Sequence, residues 1–181
     1  MIIWISGPYG VGKTTLAEQM AAKMKNAWVF DAEAVGNAVR DNYPDHPYGL
    51  IFEDYPLWGD FCCQLMTDLH RRSHREILVP MTLLRRESYR MIEALRKTGI
   101  DTKLVILEAS YQTVHDRILA RGEAEDCWCM QQIELSRAGS SALPGIHVST
   151  DDKTVEELCE LVLGQVLSEE QKGGSCEPRQ S

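Results

Sequence analysis

The most informative segment of this chain is Gly7-Pro8-Tyr9-Gly10-Val11-Gly12-Lys13-Thr14. It has the form G-x-x-x-x-G-K-[ST], in which glycines let the backbone curl so that successive N–H groups converge on phosphate oxygens. An apolar run at residues 2–5 precedes it, and Leu16, Met20 and Met24 follow it at helical spacing. The sequence therefore predicts a strand, a phosphate-binding loop and a helix, in that order.

Each residue of the loop has an expected place around a nucleoside triphosphate. We expect Lys13 to contact the β- and γ-phosphates and Thr14 to ligate Mg²⁺, while the dipole of the following helix attracts the anion. The sequence thus predicts ATP and Mg²⁺ as cofactors. The residues expected to contact them are Gly7, Tyr9, Gly10, Val11, Gly12, Lys13, Thr14 and Thr15. The alternative is a glycine turn that binds no ligand.

The bulk composition favours one soluble domain. A length of 181 residues lies within the about 100–200 residues usual for a domain. The net charge of −8 argues against general binding of nucleic acid or anionic lipid, whose phosphates attract basic surfaces. No apolar run reaches the roughly 18 residues of a membrane span, and the apolar N-terminus lacks the basic segment of a signal peptide. We therefore expect a cytoplasmic protein whose six cysteines are thiols.

Short apolar runs alternate with helical patterns along the chain, which is typical of parallel βαβ units. Strands are predicted at residues 2–5, 28–30, 77–79, 104–107 and 146–148. Helices are predicted at residues 13–25, 32–41, 56–74, 84–98, 111–121, 127–138 and 153–167. Uninterrupted apolar strands fit an α/β sheet covered by helices on both faces. We expect one domain over residues 1–167 and a mobile, polar, glycine-rich tail over residues 168–181.

Polar side chains follow the second and third predicted strands, at the edge where ligands bind in open α/β sheets. Asp31 and Glu33 come after the second strand, and Met81 and Thr82 come after the third. Asp31 would hold the water shell of Mg²⁺ or accept the proton of a substrate hydroxyl. Alternatively, it would only cap the next helix. Both roles stay open, and all four residues are candidates for contact with an acceptor substrate.

Three further residues are judged by their position on helices. Glu33 and Arg40 share a polar stripe of the second helix, with Glu33 in the crevice and Arg40 two turns further on; an exposed helix face is the alternative. Tyr55 directly precedes Pro56 and is expected to face a ligand. The acceptor-binding region is thus placed at about residues 32–75. An apolar stripe at helical spacing predicts core positions for Trp58, Phe61, Cys62, Leu65 and Leu69.

Two arginines lie four residues apart at the edge of a polar segment. Arg117 and Arg121 precede residues 122–126, which are glycine and acidic residues with one alanine. Such a pair suits a lid, at about residues 117–138, that closes over a transferring phosphoryl group, because guanidinium groups stabilise its spread charge. The alternative is a surface helix whose arginines pair with carboxylates.

Several blocks of the chain resemble the bacterial tunicamycin-resistance proteins over roughly residues 1–150. They are the residues leading into Gly12-Lys13-Thr14, Val29-Phe30-Asp31-Ala32-Glu33, Tyr55-Pro56-Leu57-Trp58, Val79-Pro80-Met81-Thr82, and Trp128 with Gln132-Ile133. The architecture is also similar to small-molecule P-loop kinases. The resemblance implies a three-layer P-loop kinase-like fold with a five-stranded parallel sheet, an acceptor region and an arginine lid. It also implies ATP-dependent handling of tunicamycin, a uridine-containing antibiotic.

Matched by position, the resemblance assigns roles to particular residues. Lys13 and Thr14 match the phosphate and magnesium residues, Asp31 and Glu33 match the acidic pair beside the acceptor, and Arg117 and Arg121 match the lid arginines. The chain departs from the pattern in two places. The acidic pair is Asp-x-Glu instead of the usual Asp-x-Asp, and Pro80-Met81-Thr82 stands where a third strand would end in a magnesium-binding Asp.

Three hypotheses remain open at this stage. The first is a phosphotransferase that moves the γ-phosphoryl group of ATP to a hydroxyl of tunicamycin or a related small molecule. The second is a binding protein that sequesters the drug in an ATP-dependent way without chemistry. The third is a metabolic kinase with a sugar or nucleotide acceptor. The sequence leaves the acceptor atom and the oligomeric state undetermined.

Overall fold

Five parallel strands form the centre of the protein. A computed structural model describes residues 1–45 and 48–173. The strands are β1 (Ile2–Ser6), β2 (Ala27–Val29), β3 (Glu76–Pro80), β4 (Thr102–Glu108) and β5 (Ile146–Ser149). They are ordered β2-β3-β1-β4-β5, so β1 is central and pairs with β3 and β4. All five predicted strands are confirmed, with bounds that differ by at most two residues.

Eight α-helices within the described part of the chain cover the sheet. They are α1 (Lys13–Lys23), α2 (Ala32–Asp41), α3 (Pro56–Ser73), α4 (Tyr89–Lys97), α5 (Tyr111–Ala120), α6 (Trp128–Gln131), α7 (Ile133–Ser141) and α8 (Val155–Gly173). Helices α2, α3 and α4 pack on one face, and α1, α5, α7 and α8 pack on the other. The predicted three-layer α/β fold is therefore confirmed. Among the described helices, none has the length and apolarity of a membrane span.

The central strand β1 supplies side chains to two separate cores. Ile2 and Trp4 belong to the core under α3 and α4, whereas Ile3 and Ile5 belong to the core under α1 and α8. All four side chains are fully buried. A strand that is buried on both faces needs no polar alternation, which explains its continuous apolar sequence.

Three predicted helices differ from the observed ones. The helix predicted at residues 84–98 begins only at Tyr89, after a 3₁₀ turn at Arg86–Ser88, because Leu83 and Leu84 are buried in the connection from β3. The helix predicted at residues 127–138 is two helices, α6 and α7. Helix α8 continues to Gly173, so the first residues of the expected tail are helical, and residues 174–181 lie outside the described part.

The expectation that Tyr55 faces a ligand is wrong. Tyr55 is buried, its hydroxyl donates to the carbonyl of Gly49 at 3.0 Å, and its ring makes edge contacts with Tyr43 and Tyr48. Its extended backbone precedes Pro56 at the first position of α3, and the ring fills the space beneath the preceding loop. Tyr55 therefore supports that loop from inside.

The apolar stripe of α3 is only partly in the core. Trp58, Cys62 and Met66, at spacing i, i+4 and i+8, form the buried face of the helix. Phe61 and Leu65 were predicted to be buried with Trp58, but they are 47% and 43% exposed. Around the helix axis Phe61 lies about 60° from Trp58 and about 100° from Cys62. Leu65 lies about 20° from Trp58 and about 60° from Cys62, so both side chains project to one side of the buried face.

We predict that two glycine-to-alanine changes in helices have opposite effects on stability. A Cβ at Gly36 in α2 would lie 2.5 Å from the ring of Phe52, whereas a Cβ at Gly164 in α8 meets no atom within 4 Å. Gly36→Ala should therefore lower the free energy of unfolding by about 1–3 kcal/mol through overpacking. Gly164→Ala should raise it by about 0.5–1 kcal/mol, the helix-propensity gain. Urea denaturation measures both, and equal effects would contradict the packing of α2 on Phe52.

Candidate active site

The loop between β1 and α1 has a backbone that only glycine adopts readily at key positions. Gly7 has φ of 143° and Gly12 has φ of 104°. A Cβ at Gly7 would lie 2.5 Å from the carbonyl oxygen of Leu107 in β4, so a side chain does not fit there. Helix α1 begins directly after Gly12, which places the amides of its first turn at the edge of the loop. A helix N-terminus next to a glycine loop attracts anions.

Lys13 is held inside this loop, and no carboxylate of the described residues lies at hydrogen-bond distance from it. Its Nζ donates to the carbonyl oxygens of Gly7 at 3.1 Å and Pro8 at 2.9 Å, and it lies 5.7 Å from the centroid of the Tyr9 ring. Burial lowers the pKa of Lys13 to about 7; the charge of Glu33 opposes this shift and that of Arg121 adds to it. A negatively charged ligand beside Lys13 would therefore stabilise its charged form.

Three cavities lie in series around the loop. The central lobe, about 280 Å³, is lined by residues that include Gly12, Lys13, Thr14, Glu33, Arg121 and Glu123. The Trp128 lobe, about 220 Å³, is lined by residues that include Phe52, Glu53, Met81, Thr82, Leu84 and Trp128. The Thr150 lobe, about 230 Å³, is lined by residues that include Val11, Thr15, Arg117, Arg121, Thr150 and Lys153.

Shared residues join these lobes into one cleft. Tyr9, Glu33, Thr82 and Cys129 line both the central lobe and the Trp128 lobe. Gly10, Gly12 and Arg121 line both the central lobe and the Thr150 lobe. The phosphate-binding loop therefore lies in the middle, with one compartment on each side.

The two acidic residues after β2 have different positions. Asp31 is exposed and is the N-cap of α2, where its Oδ1 accepts the N–H of Ala34 at 2.9 Å. It is not among the residues that line the three lobes, whereas Glu33 lines two of them. Of the two roles left open for Asp31, the structure shows the cap. Glu33 is the carboxylate of this pair that borders the cleft.

The two arginines of the predicted lid also have different positions relative to the cleft. Arg117 donates to the carbonyl of Val11 at 3.0 Å, to Oγ1 of Thr150 at 2.8 Å and to the carbonyl of Thr150 at 3.1 Å. It lines the Thr150 lobe and not the central lobe. Arg121 is exposed and lines both lobes, so it alone of the pair borders the hollow of the glycine loop.

Met81 and Thr82, which follow β3, border the cleft as the sequence predicted, whereas Arg40 is not among the residues that line it. Thr82 is buried, donates from Oγ1 to the carbonyl of Gly7 at 2.9 Å, and lines two lobes; Met81 lines the Trp128 lobe. Arg40 bonds to Asp41 and lies 5.6 Å from the centroid of the Phe52 ring. It therefore packs behind a wall residue of the cleft, and an acceptor contact from Arg40 is not supported.

Sequence patterns did not identify two residues of the cleft, Glu53 and Trp128. Glu53 accepts the backbone N–H groups of Leu84 at 2.5 Å and Arg85 at 3.2 Å and also accepts the hydroxyl of Ser88. Burial raises the pKa of Glu53 despite these hydrogen bonds. Its partners are about thirty residues away in sequence, so no local pattern identifies it.

Trp128 is the second missed residue, although it belongs to a block that carried the family resemblance. Its ring makes an edge contact with Tyr9 at a centroid distance of 5.0 Å, which joins the start of α6 to the phosphate-binding loop. Burial, and next the charge of Glu53, raises the pKa of Tyr9, so its phenol stays protonated at neutral pH. The aromatic pair thus closes the boundary between the central lobe and the Trp128 lobe.

Comparison with known proteins agrees with this architecture. A family model described as an AAA domain matches residues 2–139, most of the chain. The chain belongs to this AAA-domain family. No significant match is found among curated proteins.

Solved structures show that this AAA-domain chain has the P-loop kinase-like fold. The tunicamycin resistance protein of Deinococcus radiodurans superposes with a TM-score of 0.73 at 22% identity, covering 91% of this chain and 94% of its own. The gluconokinase of Sinorhizobium meliloti 1021 gives 0.65 at 18% identity, covering 96% and 97%. The APS kinase of Mycobacterium tuberculosis, in complex with AMPPNP and APS, gives 0.66 at 15% identity, covering 92% and 96%. At these identities the likeness establishes the fold alone.

We predict that ATP binding takes up a proton through Lys13. The free lysine has a pKa of about 7, and a bound triphosphate must raise that pKa because it favours the charged form. Above about pH 7.5, Lys13 is mostly deprotonated in the protein without ATP and is protonated in the complex with ATP. The Kd for ATP should then rise by up to about tenfold per pH unit.

Isothermal titration calorimetry in buffers of different ionisation enthalpy measures this proton uptake. Lys13→Arg is the matched control, since a guanidinium stays charged throughout this range and should remove the pH dependence. The same slope of Kd against pH in the variant would assign the proton to another group.

Proposed function

We propose that this protein is an ATP-dependent phosphotransferase that moves the γ-phosphoryl group of ATP to a hydroxyl of an uncharged, nucleoside-type small molecule. The observation that carries the proposal is the three-lobed cleft with the phosphate-binding loop at its centre. A donor on one side and an acceptor on the other would meet at Lys13. Residues 32–75 then supply the acceptor region, and residues 117–138 supply the lid.

The Thr150 lobe is the compartment proposed for the nucleoside of ATP. Arg117 is fixed there by three hydrogen bonds, and an ordered guanidinium plane suits stacking on a base. Thr15 and Lys153 border the same space. From this lobe the phosphates would extend past Gly10 and Gly12, whose backbone is already curled for them.

The residues present fit a magnesium ion that is held partly by the triphosphate. No group of three or more His, Cys, Asp or Glu side chains that would hold a metal by itself occurs within residues 1–45 and 48–173. Mg²⁺ commonly takes only one or two protein ligands and completes its shell with phosphates and water. Thr14 borders the central lobe and would hold the ion, and Asp31 would contribute only through water. When bound, the ion neutralises charge on the β- and γ-phosphates.

Glu33 is the proposed general base. In the transfer, the acceptor oxygen forms a bond to the γ-phosphorus, the bond from that phosphorus to the β–γ bridging oxygen breaks, and ADP leaves. The hydroxyl proton passes to the carboxylate of Glu33, which borders both the central lobe and the Trp128 lobe. Lys13 and Arg121 stabilise the charge that spreads over the transferring oxygens.

The lining of the Trp128 lobe supports an uncharged acceptor. Its walls are mainly apolar or aromatic, its carboxylates are Glu33 and Glu53, and no lysine or arginine is among the described residues that line it. A phosphate or carboxylate on the acceptor would meet these two carboxylates and no cation from the lining of the lobe, which disfavours its binding. A nucleoside offers a flat ring for the walls and hydroxyls for the carboxylates. Tunicamycin is the candidate acceptor, because the similar D. radiodurans protein is a tunicamycin resistance protein.

A second candidate is a binding protein that sequesters such a molecule without transferring phosphate. It is favoured by two observations. Asp31 caps α2 with its Oδ1 and is not among the cleft-lining residues, and β3 ends in Pro80 instead of a carboxylate that would assist the metal. In this case ATP would only order the site.

Mass spectrometry of the reaction products tests the proposed function. The protein is incubated with Mg·ATP and, separately, with tunicamycin, uridine or uridine monophosphate. We expect a phosphorylated product from an uncharged acceptor and none from the monophosphate. Lys13→Ala should abolish it, since the β- and γ-phosphates lose their cation. Tight binding of tunicamycin without product would instead favour sequestration, and product from the monophosphate alone would contradict the acceptor class.

We predict that substitutions of Glu33 and Asp31 have very different effects on kcat. Glu33→Gln should lower kcat by about 100-fold or more, because a general base is removed. Asp31→Asn should change kcat only a few-fold, since asparagine caps a helix as well as aspartate does. Steady-state ADP release with a productive acceptor measures both. A loss in Asp31→Asn as large as that expected for Glu33→Gln would return the base to Asp31.

A further inference from the structure

An open groove of about 840 Å³ runs between α2 and α3, outside the cleft described above. Small side chains of α2, at Ala34 and Ala38, form part of its wall, and Leu57, Phe61 and Leu65 of α3 form another. We call it the α2–α3 groove. It is nearly free of charge: among the described residues that line it, Asp68 carries the one carboxylate, which is ion-paired with Arg72 at 2.7 Å.

The α3 wall of this groove is an unusually exposed apolar ridge. Leu57, Phe61 and Leu65, at spacing i, i+4 and i+8, are 44%, 47% and 43% exposed. Single exposed apolar side chains are ordinary, but contiguous ones on adjacent turns beside a groove mark an interaction surface. Removing each of these side chains from water would be energetically favourable.

The groove does not serve the proposed catalytic cleft. On α2, Glu33 lines the cleft and Gly36 packs against Phe52, a wall residue of the Trp128 lobe. Ala34 and Ala38 line the groove. The two sets lie on different sides of one helix, so α2 separates the groove from the cleft.

We propose that the α2–α3 groove is the interface through which two copies of this chain associate as a two-fold symmetric dimer. A ridge and a groove lie next to each other on the same face, so a two-fold rotation sets the Phe61 ridge of each copy against the groove of the other. This is the self-complementarity that an isologous contact requires. Ala34 and Ala38 allow close approach of the helices, as in ridges-into-grooves packing.

Charge and area both favour a second copy. The chain carries a net charge of −8, and a face whose carboxylate is already paired is one where two such chains can meet with little repulsion. Helices of 10 and 18 residues give a footprint of roughly 500 Å² per copy, about 1,000 Å² in total, which reaches the lower limit for a specific interface.

Two other occupants fit less well. The C-terminal residues 174–181 are Gly-Ser-Cys-Glu-Pro-Arg-Gln-Ser and contain no large apolar side chain. They also follow α8, which packs on the opposite face of the sheet from α3. A membrane surface is disfavoured because no lysine or arginine is among the described residues that line the groove, and anionic lipid attracts basic surfaces.

Sedimentation velocity over about 1–200 μM protein tests the dimer. We expect the 181-residue chain to approach twice its mass of 20.5 kDa as concentration rises. Phe61→Glu should raise the dimer Kd by at least about 30-fold, because it buries an unpaired charge at the centre of the contact. The matched control is Leu167→Glu, which replaces a similarly exposed apolar residue (48%) on α8 and should leave the Kd unchanged.

Circular dichroism establishes that each variant is folded, and Leu57→Gln provides a milder change on the same ridge if Phe61→Glu does not fold. Hydrogen exchange of the wild type gives a second readout: the α2 and α3 amides should be more protected at high than at low protein concentration. A wild type that stays monomeric over the whole range overturns the proposal. So does a folded ridge variant that dimerises normally, or a monomer that floats with phosphatidylcholine vesicles.

Discussion

The carbonyl group of Gly7 is the point on which the geometry of the cleft depends. It accepts hydrogen bonds from Nζ of Lys13 and from Oγ1 of Thr82, so it connects β1 to the start of α1 and to the end of β3. Gly7 also approaches the Leu107 carbonyl of β4 too closely for a side chain. One residue thus fixes the loop between three neighbouring strands, and its glycine identity is a packing requirement as well as a conformational one.

This arrangement carries an electrostatic cost that a ligand relieves. Lys13 is partly buried with neutral carbonyl partners, and its pKa falls to about 7 because the charged form loses solvation. The charge of Arg121 lowers it further. Two cations in one hollow oppose each other until an anion binds between them. The same placement that disfavours the charged form of Lys13 would favour binding of a triphosphate and would stabilise the charge that develops during transfer.

Helix α2 borders both of the surfaces that we propose for binding. Its first turn presents Glu33 to the cleft, and its Gly36 packs against Phe52 in the cleft wall. The side of the helix that carries Ala34 and Ala38 borders the α2–α3 groove. Contact between two copies at the groove would therefore buttress the helix that holds the proposed base. Since Asp31 caps α2 through Ala34, the cap also contributes to the direction in which Glu33 points.

Local sequence patterns predict the order of elements, the five strands and the phosphate-binding loop, because strand and helix periodicity and glycine conformation are local properties. The sequence also placed Thr82 and Met81 at the edge of the sheet that borders the cleft, since the ends of parallel strands meet at one edge. It did not determine which member of a pair borders the cleft. Asp31 and Glu33, or Arg117 and Arg121, are close in sequence, and only the rotation of each helix against the sheet separates them.

Tertiary packing alone decided the remaining features. Tyr55 is buried because its ring fills space beneath a loop that no local pattern describes. Glu53 joins the cleft through backbone amides at Leu84 and Arg85, far away in sequence. Phe61 and Leu65 are apolar at core-like spacing, yet they are exposed because α2 and α3 leave a groove beside them. Whether an apolar residue is core or surface depends on what packs against it, and that information is not present in one stretch of chain.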